Sequence, residues 1–106
     1  MKYLVMQRRR DGVPVPPDAV AGMLLAQRDW LDEQVQNGTF DVAYGLPQGG
    51  GGVAIVNADT PERLNEILTE SPLFGISNVE LQPLADVHAT IGNGVRAMQR
   101  MAGAPA

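Results

Sequence analysis

Two side chains of this sequence stand out as candidates to move a proton. Glu80 stands in the alternating run Val79-Glu80-Leu81-Gln82, on the strand face away from Val79 and Leu81. A carboxylate held against apolar surface has its pKa raised and can act as a general base. The plainer reading is a solvated glutamate on an edge strand. His88 follows the same strand and is the one imidazole of the chain. Its unperturbed pKa lies near neutrality, which suits proton transfer as well as a solvent-facing loop position.

Other residues have the form of ligand-orienting groups. At about 100° per residue, Gln27 falls in the middle of the apolar stripe Val20, Met23, Leu24, Leu31, Val35, with Gln34 near it and Trp30 at its margin. A buried amide left unpaired costs about 1–3 kcal/mol. Gln27 is therefore either a satisfied core residue or one that looks into a cavity. Trp30 is either plain packing or a ligand platform. Tyr44 is read on one strand face with Phe40, Val42 and Leu46, and its hydroxyl needs a partner if buried. Gln7 shares a face with Tyr3 and Val5. The run Arg8-Arg9-Arg10 before Asp11 reads as a fraying strand end or as an anion contact. Arg8 is the arginine expected to make that contact, through a rigid fork that matches carboxylates.

Composition removes several chemistries. There is no Cys, so thiol catalysis, disulfides and thiolate metal sites are out. One His excludes a His-rich metal centre, and no metal or cofactor is expected. The net charge of -4 argues against a nucleic-acid surface. No apolar run approaches the roughly 18 residues of a membrane span, and the N-terminal run lacks the form of a signal peptide. The expectation is a cytoplasmic protein. A chain of 106 residues supports one modest core.

The elements that must position these residues follow in order. Lys2 to Arg8 reads as a strand, ended by the proline-rich loop Asp11 to Pro17. A helix starts near Pro17 or Asp18 and runs to about Gln36, stopping at Asn37-Gly38. Phe40 to Leu46 alternates as a half-buried strand. Pro47-Gln48 and Gly49 to Gly52 read as a turn, and Val53 to Ala58 as a strand. Asp59, with Glu62 at the capping-box distance, starts a helix over Pro61 to about Glu70. Ser71-Pro72 ends it, Ile76 to Leu84 is a fourth strand, and Ala89 to Met101 a short helix before a frayed end. The glycine run is no phosphate loop, because it joins two strands rather than a strand to a helix. A flexible hairpin tip or a lid are its two readings.

The order is β-α-β-β-α-β, an α+β ferredoxin-like fold with an antiparallel four-stranded sheet, over residues 1–88, with a C-terminal helical arm over 89–106. The first and third strands are apolar on both faces and belong in the centre. Two helices cover only one sheet face, so the other needs a partner. A second copy packing sheet on sheet is the expected one, giving a homodimer of the α+β-barrel kind.

The chain resembles the muconolactone Δ-isomerase family. The resemblance rests on the strand directly after Met1, the helix closing on Asn37-Gly38-Thr39-Phe40, and Glu70-Ser71-Pro72-Leu73-Phe74 leading into Asn78-Val79-Glu80-Leu81. It spans about residues 1 to 91. It implies tight dimers that can assemble further and a site between helix and sheet closed by a neighbour's arm. It also implies a reaction, without metal or cofactor, that moves a proton to shift a double bond in an unsaturated lactone acid. A Lys-Glu pair of the family's first helix corresponds to Arg28 and Asp29. Asp41, Val42 and Gly45 stand where the family has basic and histidine residues, which points to a more apolar small molecule.

The leading expectation is thus a cofactor-free isomerase or cyclase-like enzyme. Arg8 or Arg28 would hold an anion, Glu80 or His88 would move the proton, and Gln27, Trp30 and Tyr44 would bind and orient the substrate. The alternative is a non-catalytic dimeric module that binds a small ligand or serves assembly. A haem-dependent oxygenase is a third reading, with His88 as its sole candidate imidazole ligand.

Overall fold

The computed structural model describes residues 1–103 of the 106. Alternating burial along Lys2–Arg9 forms strand β1, with Tyr3 and Val5 buried and Leu4 exposed. Helix α1 spans Pro17–Gln36, with Pro where the first helical turn has no N–H partner to lose. It ends at Asn37, and Gly38 takes a φ of +80°, a conformation that favours glycine. Strands β2 (Phe40–Gly45) and β3 (Gly51–Asn57) form a hairpin. Helix α2 (Pro61–Thr69) is capped by Thr60, whose Oγ1 accepts from Arg63 N at 3.1 Å. The cap is therefore Thr60 and not the expected Asp59. A single 3-10 turn over Phe74–Ile76 precedes strand β4 (Ser77–Leu84), which delays the strand by one residue from its expected start.

The sheet has the order β2-β3-β1-β4 with every neighbouring pair antiparallel. The strands that read as apolar on both faces are the two central ones. Both α1 and α2 lie on one face. There Tyr3, Val5, Ala54 and Val56 meet Phe40, Leu64, Ile67 and Leu68, with Trp30 and Leu31 packed against them. Val56 and Ile67 are almost wholly removed from water, each contributing about 1.5–3 kcal/mol of transfer free energy. Trp30 meets Phe40 edge to face, with ring centroids 5.4 Å apart.

Four further features differ from the sequence reading. First, Phe40 pairs with Val56 and Val42 with Ile55, so Asp41 is the extra residue of a β-bulge. Phe40 therefore faces the helices, whereas Val42 and Tyr44 lie on the open face; Tyr44 does not share a face with Phe40. Second, Gly51 and Gly52 belong to β3 and not to the turn. Third, the buried side of α1 carries Gln34 and half-buried Val20, Met23, Gln27, Trp30 and Leu31, while Leu24 and Val35 are exposed. Fourth, the arm is longer. Helix α3 spans Val87–Gly103, and its start is held by Asp86, whose Oδ2 accepts from Ala89 N at 2.9 Å. His88 thus lies in the first turn of α3 and not in a loop. The frayed end expected over the last residues is helical at Ala102 and Gly103; the remainder lies outside the described residues.

α3 carries Val87, Ile91, Val95 and Met98 in line, all exposed. Seventeen residues of helix span about 25 Å, and the arm stretches the chain to 66 Å in its longest dimension. No helix among the described residues is long and apolar enough to cross a membrane.

Candidate functional site

A polar cluster interrupts the apolar layer between helices and sheet. Its centre is Gln7 of β1, on the same face as Tyr3 and Val5. Gln7 Nε2 donates to Ser77 Oγ at 3.1 Å and to Ser71 Oγ at 3.3 Å. Ser71 Oγ in turn donates to Gln27 Oε1 at 2.8 Å. Ser71 and Ser77 are both buried. The cluster ties α1, β1, the end of α2 and the start of β4 together at one point. Gln27 is half-buried, and its carbonyl oxygen is satisfied by Ser71.

The floor beside this cluster carries no side chains. Gln7 pairs with Gly52 of β3, and Gly52 with Gly45 of β2. The reason for glycine is the close approach of backbones. A Cβ on Gly52 would stand 2.6 Å from Tyr44 O, and one on Gly51 would stand 2.2 Å from Gln7 O. One helical turn from Gln27, on the same inward side of α1, the Trp30 indole Nε1 is buried without a hydrogen-bond partner. Gln34 lies further along the same side and is 7% exposed. An indole N–H shut away from water without an acceptor carries a cost of about 1–3 kcal/mol. A bound oxygen would relieve it.

At the end of this floor a recess of about 400 Å³ opens to solvent. It is bordered by Arg8, Arg9, Arg10 and the turn at Gly49 and Gly50, both of positive φ. Strand alternation separates the arginines. Arg8 lies on the open face, where its Nε approaches Met6 Sδ at 3.1 Å. Arg9 pairs with Ser77 across the sheet and shares the helix face with Gln7. Arg10 is tied to β4 through Ser77 O at 3.3 Å and Asn78 Oδ1 at 3.4 Å.

The residues singled out from the sequence fall into separate groups. Gln27 and Trp30 lie between α1 and the sheet. Arg8, Tyr44 and Glu80 lie on the open face, all exposed. Tyr44, Val53, Met6 and Glu80 form one row across the four strands, so Tyr44 and Glu80 stand about 14 Å apart. Glu80 is opposite Met6, one diagonal step from Arg8. His88 projects from the base of the arm. Arg28 points to solvent and pairs with Asp29 at 3.2 Å. Ser71 and Ser77 carry no site signal in the sequence, and Arg9 is there one of three arginines read as an anion contact, with Arg8 the preferred one. Ser71 reads in sequence only as a helix stop, but the parity that joins Tyr3, Val5 and Gln7 also includes Arg9.

One further polar group sits on the open face. Asp41, displaced by the bulge, accepts from Lys2 Nζ and, at 2.7 Å, from Asn57 Nδ2. These hydrogen bonds, Lys2 first, hold its carboxyl below the ordinary value of 3.8. No set of three or more His, Asp or Glu side chains among the described residues comes together to hold a metal ion.

Comparison with known proteins agrees with this architecture. A crystal structure of muconolactone isomerase superposes with a TM-score of 0.72 at 16% identity, over 81% of this chain and 90% of that one. The 5-chloro-2-hydroxyhydroquinone dehydrochlorinase of Burkholderia phenoliruptrix AC1100, in complex with 2,5-dihydroxybenzoquinone, superposes with a TM-score of 0.63 at 13% identity, over 84% and 98% of the two chains. No curated protein matches the chain by sequence. The family model of muconolactone delta-isomerase matches residues 1–90, and the chain belongs to that family.

Proposed function

We propose that the chain is a cofactor-free enzyme that moves a proton within a small unsaturated lactone, ring or acid, and that it works as a homodimer or larger assembly. The family membership supports a small-molecule enzyme. The observation that carries the reading further is the buried, unpartnered Trp30 Nε1 beside the Gln7–Ser71–Gln27 chain. These groups suit the oxygens of a small planar molecule. The quinone bound by the dehydrochlorinase is of that class.

In this reading Gln27 and Trp30 orient the substrate, while Arg8, Arg28 and Tyr44 contribute to binding at the borders. Glu80 or His88 moves the proton. The sheet separates Glu80 from Gln27, and His88 lies on the arm beyond the end of β4; in this reading they reach a ligand in the helix–sheet layer from a neighbouring copy. The open face and the arm supply the apolar surface for that assembly: exposed Leu4 and Tyr44 on one, exposed Ile91 and Met98 on the other. Cytoplasmic location fits such small-molecule metabolism.

The test is proton exchange in D2O, followed by NMR on muconolactone, related butenolide acids and hydroxyquinones. Catalysed deuterium uptake that falls at least about 100-fold in the Glu80→Ala, His88→Ala double variant is the expected result. Uptake unchanged in that variant removes both residues from the mechanism.

A second reading, a non-catalytic binding or assembly module, is favoured by one observation: the Gln7–Ser71–Gln27–Ser77 cluster contains amides and hydroxyls but no acid or base. Saturable binding with no exchange on any of these compounds would establish it.

A further inference from the structure

We propose that Arg9 selects the charge of the ligand, by holding a small carboxylate in the recess beside the Gly49–Gly50 turn with the ligand's apolar body directed toward Gln27. This rests on the reading of the helix–sheet layer as a small-molecule site.

Three arginines border the recess, and the structure distinguishes them. Arg10 already spends its guanidinium on Ser77 O and Asn78 Oδ1. Arg8 lies across the sheet on Met6. Arg9 makes neither an ion pair nor a side-chain hydrogen bond among the described residues, and its strand parity places it on the face that holds Gln7, Ser77 and Gln27. Its backbone is anchored independently, through Arg9 N donating to Gly50 O at 2.7 Å. The side chain is therefore free to work without carrying the fold.

The surroundings fit a carboxylate with an apolar body. Asp11 borders the recess but pairs with none of the three arginines. In a chain of net charge -4, three adjacent cations without a carboxylate partner make a local positive field. A planar guanidinium matches a carboxylate edge with two parallel hydrogen bonds. Val13 and Leu46 add apolar wall. Of the turn, Gln48 borders the recess, while Gly49 and Gly50 add no side chain.

The experiment uses benzoate as probe, with benzamide as its neutral counterpart, titrated by calorimetry and by amide NMR of the full chain at low salt. Benzoate is expected to bind saturably, to shift the Gly49 and Gly50 amides, and to bind about tenfold or more weakly to Arg9→Gln. Arg9→Lys should recover part of that loss, and Arg10→Gln, whose guanidinium is committed to Ser77 O and Asn78 Oδ1, should change the affinity less than about threefold. The proposal is overturned if benzamide binds as tightly as benzoate, if Arg10→Gln loses as much as Arg9→Gln, or if benzoate does not bind. Because binding is read without turnover, Arg9-dependent binding with no proton exchange would keep this inference and remove the enzymatic reading. Proton exchange with Arg9→Gln binding benzoate like the parent would do the reverse.

Discussion

Ser71 Oγ donates a hydrogen bond of 2.8 Å to Gln27 Oε1, and this pair joins the middle of α1 to the segment between α2 and β4. Ser71 also accepts from Gln7, so one buried hydroxyl serves two amides. Ser71→Ala leaves both short of a partner and should lower unfolding free energy by about 1–3 kcal/mol, read by urea denaturation. Gln27→Leu combined with Ser71→Ala should cost less than the sum of the single changes, because removing both partners together leaves fewer unpaired groups. Additive losses would show that the pair is not coupled.

The paired glycines at the start of β3 set a sharp contrast. Gly51→Ala places a Cβ 2.2 Å from Gln7 O, a backbone atom that cannot swing aside. The expected loss is about 2 kcal/mol or more, or failure to fold. Gly45→Ala, with nothing within 4 Å of the new atom, should stay within about 0.5 kcal/mol of the parent. Thermal unfolding of the two variants side by side checks this.

Asp41 links the bulge to pH. Its carboxyl titrates below 3.8 in the folded chain because Lys2, and then Asn57, donate to the charged form. A carboxylate with a depressed folded pKa stabilises the fold above its unfolded pKa, and that contribution is lost as pH falls through the folded value. Asp41→Asn should therefore be less stable than the parent near neutrality, with the difference shrinking as pH drops below 3.8. Urea midpoints measured across the acid range decide it. A difference that is constant with pH would dissociate Asp41 from the acid response.

The apolar stripe of α3 is exposed in the single chain, and the proposed assembly covers it. At micromolar concentration the parent should sediment as a dimer or larger species, and Ile91→Asp with Met98→Asp should shift the mass downward. Both positions are about 60% exposed in the single chain, so the charges should not unfold the monomer. A parent that sediments as a monomer would leave the open face and the arm without the proposed role.

Sequence periodicity was enough to determine the element order, the central places of β1 and β3, the helix ends at Pro17 and Asn37, and the presence of Gln27 on the buried side of α1. These follow from local rules: alternation by two in strands, by 3.6 in helices, and the backbone limits of Pro and Gly. The family resemblance was legible on separate grounds, as a likeness of Glu70-Ser71-Pro72-Leu73-Phe74 and the strand after it to that family. Tertiary structure decided the rest. The bulge at Asp41 inverted the face of everything after Phe40, because one extra residue shifts a period of two. Asp86 moved the start of α3 and took His88 out of its loop. Pairing in the sheet put Arg9 on the face of Gln7 and Arg8 on the other, although the two are neighbours in sequence. Ser71 became a hydrogen-bonding centre only when the turn after α2 brought it against Gln7 and Gln27, partners 64 and 44 residues away. Such contacts depend on how elements dock, and no local period encodes docking.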